Sequence, residues 1–137
     1  MTAQLPENME TPLHEIYHYA LISDSEEGLI LVNIDTLADG DPTNNFLERA
    51  LTWNENGVLN GAKYITTAGT NTFVLTNNKL VILDLDKPLE PRVRAVLPFN
   101  EPTAVGIQFR YAFVTDRDGF HVVDITHMDK PEIVKKA

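Results

Sequence analysis

Short apolar runs separated by polar turns recur along this chain at a nearly constant interval. From Tyr111 to Ile125 it reads Tyr-Ala-Phe-Val-Thr-Asp-Arg-Asp-Gly-Phe-His-Val-Val-Asp-Ile, and from Thr72 to Leu85 Thr-Phe-Val-Leu-Thr-Asn-Asn-Lys-Leu-Val-Ile-Leu-Asp-Leu. A third copy runs from Tyr19 to Ile34. In each, one apolar run ends in Ser/Thr followed by Asp/Asn (Ser23-Asp24, Thr76-Asn77, Thr115-Asp116), and a second ends at Asn33, Asp84 or Asp124. Asp84 and Asp124 are 40 residues apart, as are Pro91 and Pro131. Asn33 and Asp84 are 51 apart, so about 11 residues are added between Asp35 and Gly61. That stretch holds the turn-forming clusters Asp39-Gly40-Asp41-Pro42 and Asn54-Glu55-Asn56-Gly57.

Leu29 to Val32, Leu80 to Leu83 and Phe120 to Val123 are short, β-branched or bulky, and bounded by turn residues, which predicts strands. They do not alternate strictly with polar residues, so both faces should be covered, yet their tight connections demand antiparallel hairpins. An antiparallel unit of about 40 residues buried on both faces is what a propeller blade provides. Pro91 to Val96 and Pro131 to Val134 read as outer strands with proline at the entry, and Ala104 to Ile107 as an innermost strand in which Gly106 permits close approach. The predicted fold is all-β: a partial β-propeller of about three antiparallel four-stranded blades. Its divisions are an N-terminal extension (1–12), blade one with an acidic insertion (13–60, insertion 35–60), blade two (61–100) and blade three (101–137), incomplete at its outer strand.

The cores Leu80-Val81-Ile82-Leu83-Asp84 and Phe120-His121-Val122-Val123-Asp124, each followed by a proline-containing turn and then Pro-x-Val/Ile-Val/Arg, resemble the LVIVD repeat. Leu29 to Asn33 is a third match, with Asn where that family has Asp. The resemblance spans roughly residues 13–137 and implies a propeller domain of secreted or cell-surface bacterial and archaeal proteins, an extracytoplasmic setting, and no catalytic residues to carry over. Some relatives occur beside multihaem cytochromes, but a haem-attachment sequence needs cysteine and this chain has none.

Charge changes this picture locally. Twenty acidic residues against 11 basic ones give a net charge of −9, which disfavours nucleic acid and anionic lipid as partners. Residues 1–60 carry 11 acids and one base, Arg49, whereas residues 61–137 carry 9 acids and 10 bases. The acidity belongs to the first repeat and its insertion, as a solvated face or a contact for a basic partner. No stretch approaches the roughly 18 apolar residues of a spanning helix, and no basic leader or apolar signal core precedes the repeats. No cysteine excludes disulfides, thiolate zinc sites and thiol nucleophiles.

The most conspicuous chemical motif is His14-Glu15-Ile16-Tyr17-His18, the H-E-x-x-H pattern of zinc hydrolases. On a helix it sets two histidines one turn apart with Glu15 as base, and Thr11 and Pro12 could open such a helix. Against it, Tyr19 to Ile22 match the strand Tyr111 to Val114, leaving fewer than two helical turns. In an extended chain His14 and His18 stand about 13 Å apart, too far to share one zinc. The expectation is coincidence, with the histidines on or beside the innermost strand of blade one; a metal-dependent hydrolase using His14, Glu15 and His18 is the alternative. Asp35, Asp39, Asp41, Asn44 and Asn45 form an oxygen-rich loop that could suit calcium but lacks the helix-loop-helix spacing, so an Asx-rich turn is preferred. Asp24, Glu26 and Glu27 read as a solvated hairpin turn. Asn33, Asp84 and Asp124 recur in every repeat, which argues for a structural role: a short polar side chain at a strand end accepts from backbone N–H groups of the next turn. Ser23, Thr76 and Thr115 are read alike. Phe46, Leu47, Ala50 and Leu51 suit either a short helical face or an outer strand, and Trp53 reads as core.

The expected function is therefore a non-enzymatic propeller module without cofactor, a protein-interaction scaffold whose partner is another protein or neighbouring blades of a longer chain. Zinc or calcium belongs only to the alternatives, and neither nucleic acid nor membrane insertion is expected. About two and three-quarter blades fall short of the four to eight that typically close a propeller, so the isolated chain should either self-associate through its end blades or aggregate.

Overall fold

The computed structural model describes residues 14–34 and 48–136. Among these, three antiparallel sheets account for nearly all regular structure, and helix is confined to two 3-10 turns, Glu15–His18 and Glu55–Gly57. The first sheet is β1 (Tyr19–Asp24), β2 (Gly28–Asn33) and β3 (Glu48–Trp53). The second is β4 (Tyr64–Ala68), β5 (Asn71–Leu75), β6 (Lys79–Asp84) and β7 (Arg92–Pro98). The third is β8 (Ala104–Gln108), β9 (Tyr111–Asp116), β10 (Gly119–Asp124) and β11 (Glu132–Lys136). Each sheet is a meander in chain order, and the described residues hold no helix long and apolar enough to cross a membrane.

The three sheets share one register. Asn33, Asp84 and Asp124 sit opposite Tyr19, Asn71 and Tyr111. Just beyond each pair, a backbone N–H reaches across the strand gap: Ile34 to His18 O at 3.0 Å, Leu85 to Thr70 O and Ile125 to Arg110 O at 2.8 Å. A bulge interrupts pairing with the outer strand at the same place each time, after Leu31, Ile82 and Val122. This register corrects one expectation from the sequence. Counting from the paired ends, Thr76 is equivalent to Asp24 and Asp116, while Leu75 is equivalent to Ser23 and Thr115; the hydroxyl positions 23, 76 and 115 are one residue out of phase.

Alternation along the second sheet sends its side chains into two cores. Phe73, Leu75, Leu80 and Ile82 pack against Val105, Ala112, Val114 and Val123 of the third sheet. Val74, Val81 and Leu83, with Leu85 just beyond β6, pack against Leu29 and Leu31 of the first sheet and Ile16 before it. Strands with no polar face thus arise because each face meets a neighbouring sheet. Every one of these β5 and β6 side chains is essentially fully buried, each contributing about 1.5–3 kcal/mol of transfer free energy. β4 lies against β8 and β1 against β4, so consecutive sheets adjoin along their early strands. Arg94 of β7 ties the second sheet to the third by bonding Asp129 at 3.0 Å.

The first sheet differs from the other two in having three described strands. The residues before β1, which correspond in order to β4 and β8, form the 3-10 turn Glu15–His18 instead of an innermost strand. His14 starts that turn by accepting the Ile16 N–H on Nδ1 at 3.0 Å, and Ile16 is buried as its anchor. The segment around Leu51 is strand, not helix: β3 pairs Leu31 with Leu51 and Leu29 with Trp53, and Trp53 packs on the core between the first two sheets.

Candidate functional site

The H-E-x-x-H segment does not take the geometry its zinc chemistry requires. It lies in a 3-10 turn of four residues, where histidines four apart are not stacked as on an α-helix. Both ring nitrogens of His14 are engaged, Nδ1 with the Ile16 N–H and Nε2 with Asp86 Oδ1 at 3.1 Å. Glu15 and His18 border a groove that also contains Lys87, whose ammonium opposes a bound cation. Among the described residues no three His, Asp or Glu side chains are grouped so as to hold a metal ion. Asp35, Asp39, Asp41, Asn44 and Asn45 lie outside the described residues, as do Phe46 and Leu47.

The recurring acids fasten turns. Asp84 Oδ1 accepts the Asp86 N–H and Asp124 Oδ1 the Thr126 N–H, both at 2.9 Å. A hydrogen bond from Arg92, reinforced by the Asp86 N–H, holds the Asp84 carboxyl below the usual range; the Thr126 hydroxyl and N–H do the same for Asp124. Asp24 Oδ2 accepts from the Glu26 and Glu27 N–H groups at 3.0 and 2.8 Å, and Glu27 pairs with Arg49, so the acidic hairpin is a built turn.

One polar pair departs from the repeat. His121 occupies the core position filled by Val81 in the second sheet and Ile30 in the first. Its side chain is 5% exposed, and Nε2 lies 2.8 Å from Oδ1 of Asp116, whose side chain is 1% exposed. The same Oδ1 accepts from the Asp118 and Gly119 N–H groups at 2.9 and 3.1 Å, and Oδ2 from the Asn100 N–H at 3.0 Å. Burial alone would raise the Asp116 carboxyl; the bonds from Asn100, His121 and Asp118 outweigh it and hold the group below its ordinary value. An ionised Asp116 assigns the proton to Nε2 in the neutral ring and leaves Nδ1 as a buried acceptor without a partner. The Phe99 ring lies 5.2 Å from the imidazole.

The pair lines an open cleft of about 460 Å³ shared with Pro98, Phe99, Asn100, Asp118 and Ile133. Chemically it offers a fixed carboxylate-imidazole couple with acidic lips. Among the described residues no hydroxyl bonds Nδ1, the nitrogen that would activate one in a nucleophile triad. The hairpin of Asp116 was visible in the sequence as one of three like turns. Its pairing with His121 was not: the out-of-phase hydroxyl alignment hid that Asp116 stands where Thr76 does, and the polar intrusion at 121 against Val81 is the signal that identifies the site. No protein-family model matches the chain, and neither does any curated protein.

Proposed function

We propose that this chain is a non-enzymatic β-propeller repeat module that serves as a protein-interaction scaffold. The observation that carries the proposal is the burial of the second sheet on both faces by sheets of the same strand order, with early strands adjoining, as blades adjoin around an axis. The LVIVD-like pentapeptides ending at Asp84 and Asp124 support it, because those aspartates secure the turn after each third strand. By that resemblance the module works outside the cytoplasm. The binding surface is the end of the sheets formed by the hairpin turns and the linkers between sheets. There Asp24, Glu26 and Glu27 border the first sheet, and Asn100, Asp116 and Asp118 frame the cleft. This acidic rim suits a basic protein surface.

Hydrolase chemistry at His14, Glu15 and His18 is the competing proposal, and metal analysis separates the two. Chain purified without chelator and dialysed against micromolar zinc should retain far less than one equivalent, and His18→Ala should leave that zinc content unchanged. Stoichiometric zinc that disappears in His18→Ala, together with peptide or ester hydrolysis, would replace the scaffold with an enzyme.

A further inference from the structure

The β9–β10 hairpin of the third sheet and the β5–β6 hairpin of the second have the same length, so their residues correspond one to one. Asp116, Asp118, Gly119 and His121 stand where the second repeat has Thr76, Asn78, Lys79 and Val81. Two carboxylates and an imidazole are gained, one lysine is lost, and Asp116, Asp118 and His121 all line the same cleft. None of the residues lining it is a lysine or arginine, whereas three other clefts each contain at least one of Lys87, Arg92, Arg110 and Lys130. Asp116 and His121 share the core-facing side of the sheet with Val114 and Val123. The opposite, open face carries the row Tyr111, Phe113 and Phe120, in which Phe113 stacks on an exposed Phe120.

What the cleft leaves unsatisfied is acceptor capacity. Asp116 uses both oxygens on Asn100, Asp118, Gly119 and His121. Asp118 accepts a single bond among the described residues, from Asn100 Nδ2 at 3.2 Å, and that bond leaves Asn100 Oδ1 free to accept another. His121 lines the cleft with its side chain only 5% exposed, and its Nδ1 is an acceptor with no partner. An unpaired buried acceptor destabilises a fold unless a ligand satisfies it. Pro98, Phe99 and Ile133 supply an apolar wall beside these groups, and Ile133 is 47% exposed. We propose that this cleft receives a lysine side chain of a basic protein partner, its ammonium bonding the Asp118 carboxylate, Asn100 Oδ1 and His121 Nδ1 and its alkyl stem lying along Pro98 and Ile133. An ammonium suits acceptors carried on three separate side chains because its three donors are not coplanar, whereas a guanidinium fork matches the two oxygens of one carboxylate. A cleft of about 460 Å³ holds one such side chain with the backbone that bears it. This inference rests on the scaffold proposal above and names the residue type by which its acidic rim recognises a partner.

Heteronuclear NMR titration of the full chain with an acetylated, amidated pentapeptide, lysine between pairs of alanines, tests it. Saturable shifts should appear at Asn100, Asp118 and the His121 ring nitrogens. The norleucine counterpart, which keeps the stem without the charge, should leave them unmoved. Asp118→Asn, which installs the residue of the second repeat, should weaken binding about tenfold, and so should Asp116→Thr with His121→Val. If the double variant fails to fold, Asp118→Asn, which alters only an exposed side chain, carries the test alone. No shift in the cleft, equal binding of the norleucine peptide, tighter binding of the arginine counterpart, or an affinity unchanged in Asp118→Asn would each overturn the lysine site. Deca-lysine on the same sample separates the failures: shifts confined to Asp24, Glu26 and Glu27 defeat the cleft alone, and no shift at either place defeats the basic partner too.

Discussion

His121 and Asp116 sit where the second repeat has Val81 and Thr76, so the chain contains its own control for what the dyad contributes. Thr76 accepts the Asn78 N–H on its hydroxyl at 3.3 Å, doing for that turn what Asp116 does for the third. A buried ion pair or polar pair is a weak stabiliser compared with well-packed apolar side chains, and His121 leaves Nδ1 unpaired. The double substitution Asp116→Thr with His121→Val should therefore keep stability within about 1 kcal/mol of wild type in urea unfolding. A loss of several kcal/mol would make the dyad architectural. Phe109 makes a second case: it has φ of 55° and is 91% exposed, at the turn position where the second repeat has Gly69 at φ 64°. A bulky residue in the left-handed region costs about 1–2 kcal/mol, and glycine forfeits part of that gain through chain entropy. Phe109→Gly should raise stability by roughly 0.5 kcal/mol in the same assay; a decrease would mean the ring makes a contact that outweighs the strain.

At the scale of the elements, the sheets concentrate their stability unevenly. Phe73 pairs with Ile82 across β5 and β6 and reaches the third sheet. Phe73→Ala should cost about 3–5 kcal/mol, while the same change at Phe113, its equivalent on the open face, should cost the isolated chain far less. Acid should act through the turns between these elements. Asp84, Asp116 and Asp124 are all held below their ordinary values, so the folded chain binds fewer protons than the unfolded one. Their contribution is complete above the unfolded carboxylate value near 4 and disappears as pH falls through the lower folded values. The unfolding midpoint should be level from neutral pH to about 5 and fall steeply below about 4, and Asp84→Asn should flatten that fall. A midpoint independent of pH down to 2 would contradict the role of these carboxylates.

What the sequence made legible follows the same division. The apolar runs 29–32, 80–83 and 120–123 emerged as strands because length, β-branching and flanking turns agreed, and the absence of alternation announced sheets covered twice. The residues before β1 did not become an innermost strand, because His14 could cap a 3-10 turn with its own ring and Ile16 had a core to enter. That is a tertiary choice local patterns do not encode. The choice between helix and strand around Leu51 stayed open for a similar reason: only pairing with β2 decides it. The dyad stayed hidden because a one-residue error of phase in comparing the turns sets Thr115 opposite Thr76, the place that belongs to Asp116.

For the whole molecule, meander connectivity carries a consequence in time. Each sheet pairs only strands that are neighbours in sequence, and each core joins one sheet to the next. Among the described residues no pairing joins the last strand to the first, so contacts can form in the order in which the chain leaves the ribosome. The second sheet can be laid on the first before the third exists, and at every stage one freshly made apolar face waits for its successor. The aromatic row of Tyr111, Phe113 and Phe120 is such a face on the third sheet, a growth front laid down by synthesis on the side turned away from the sheet before it.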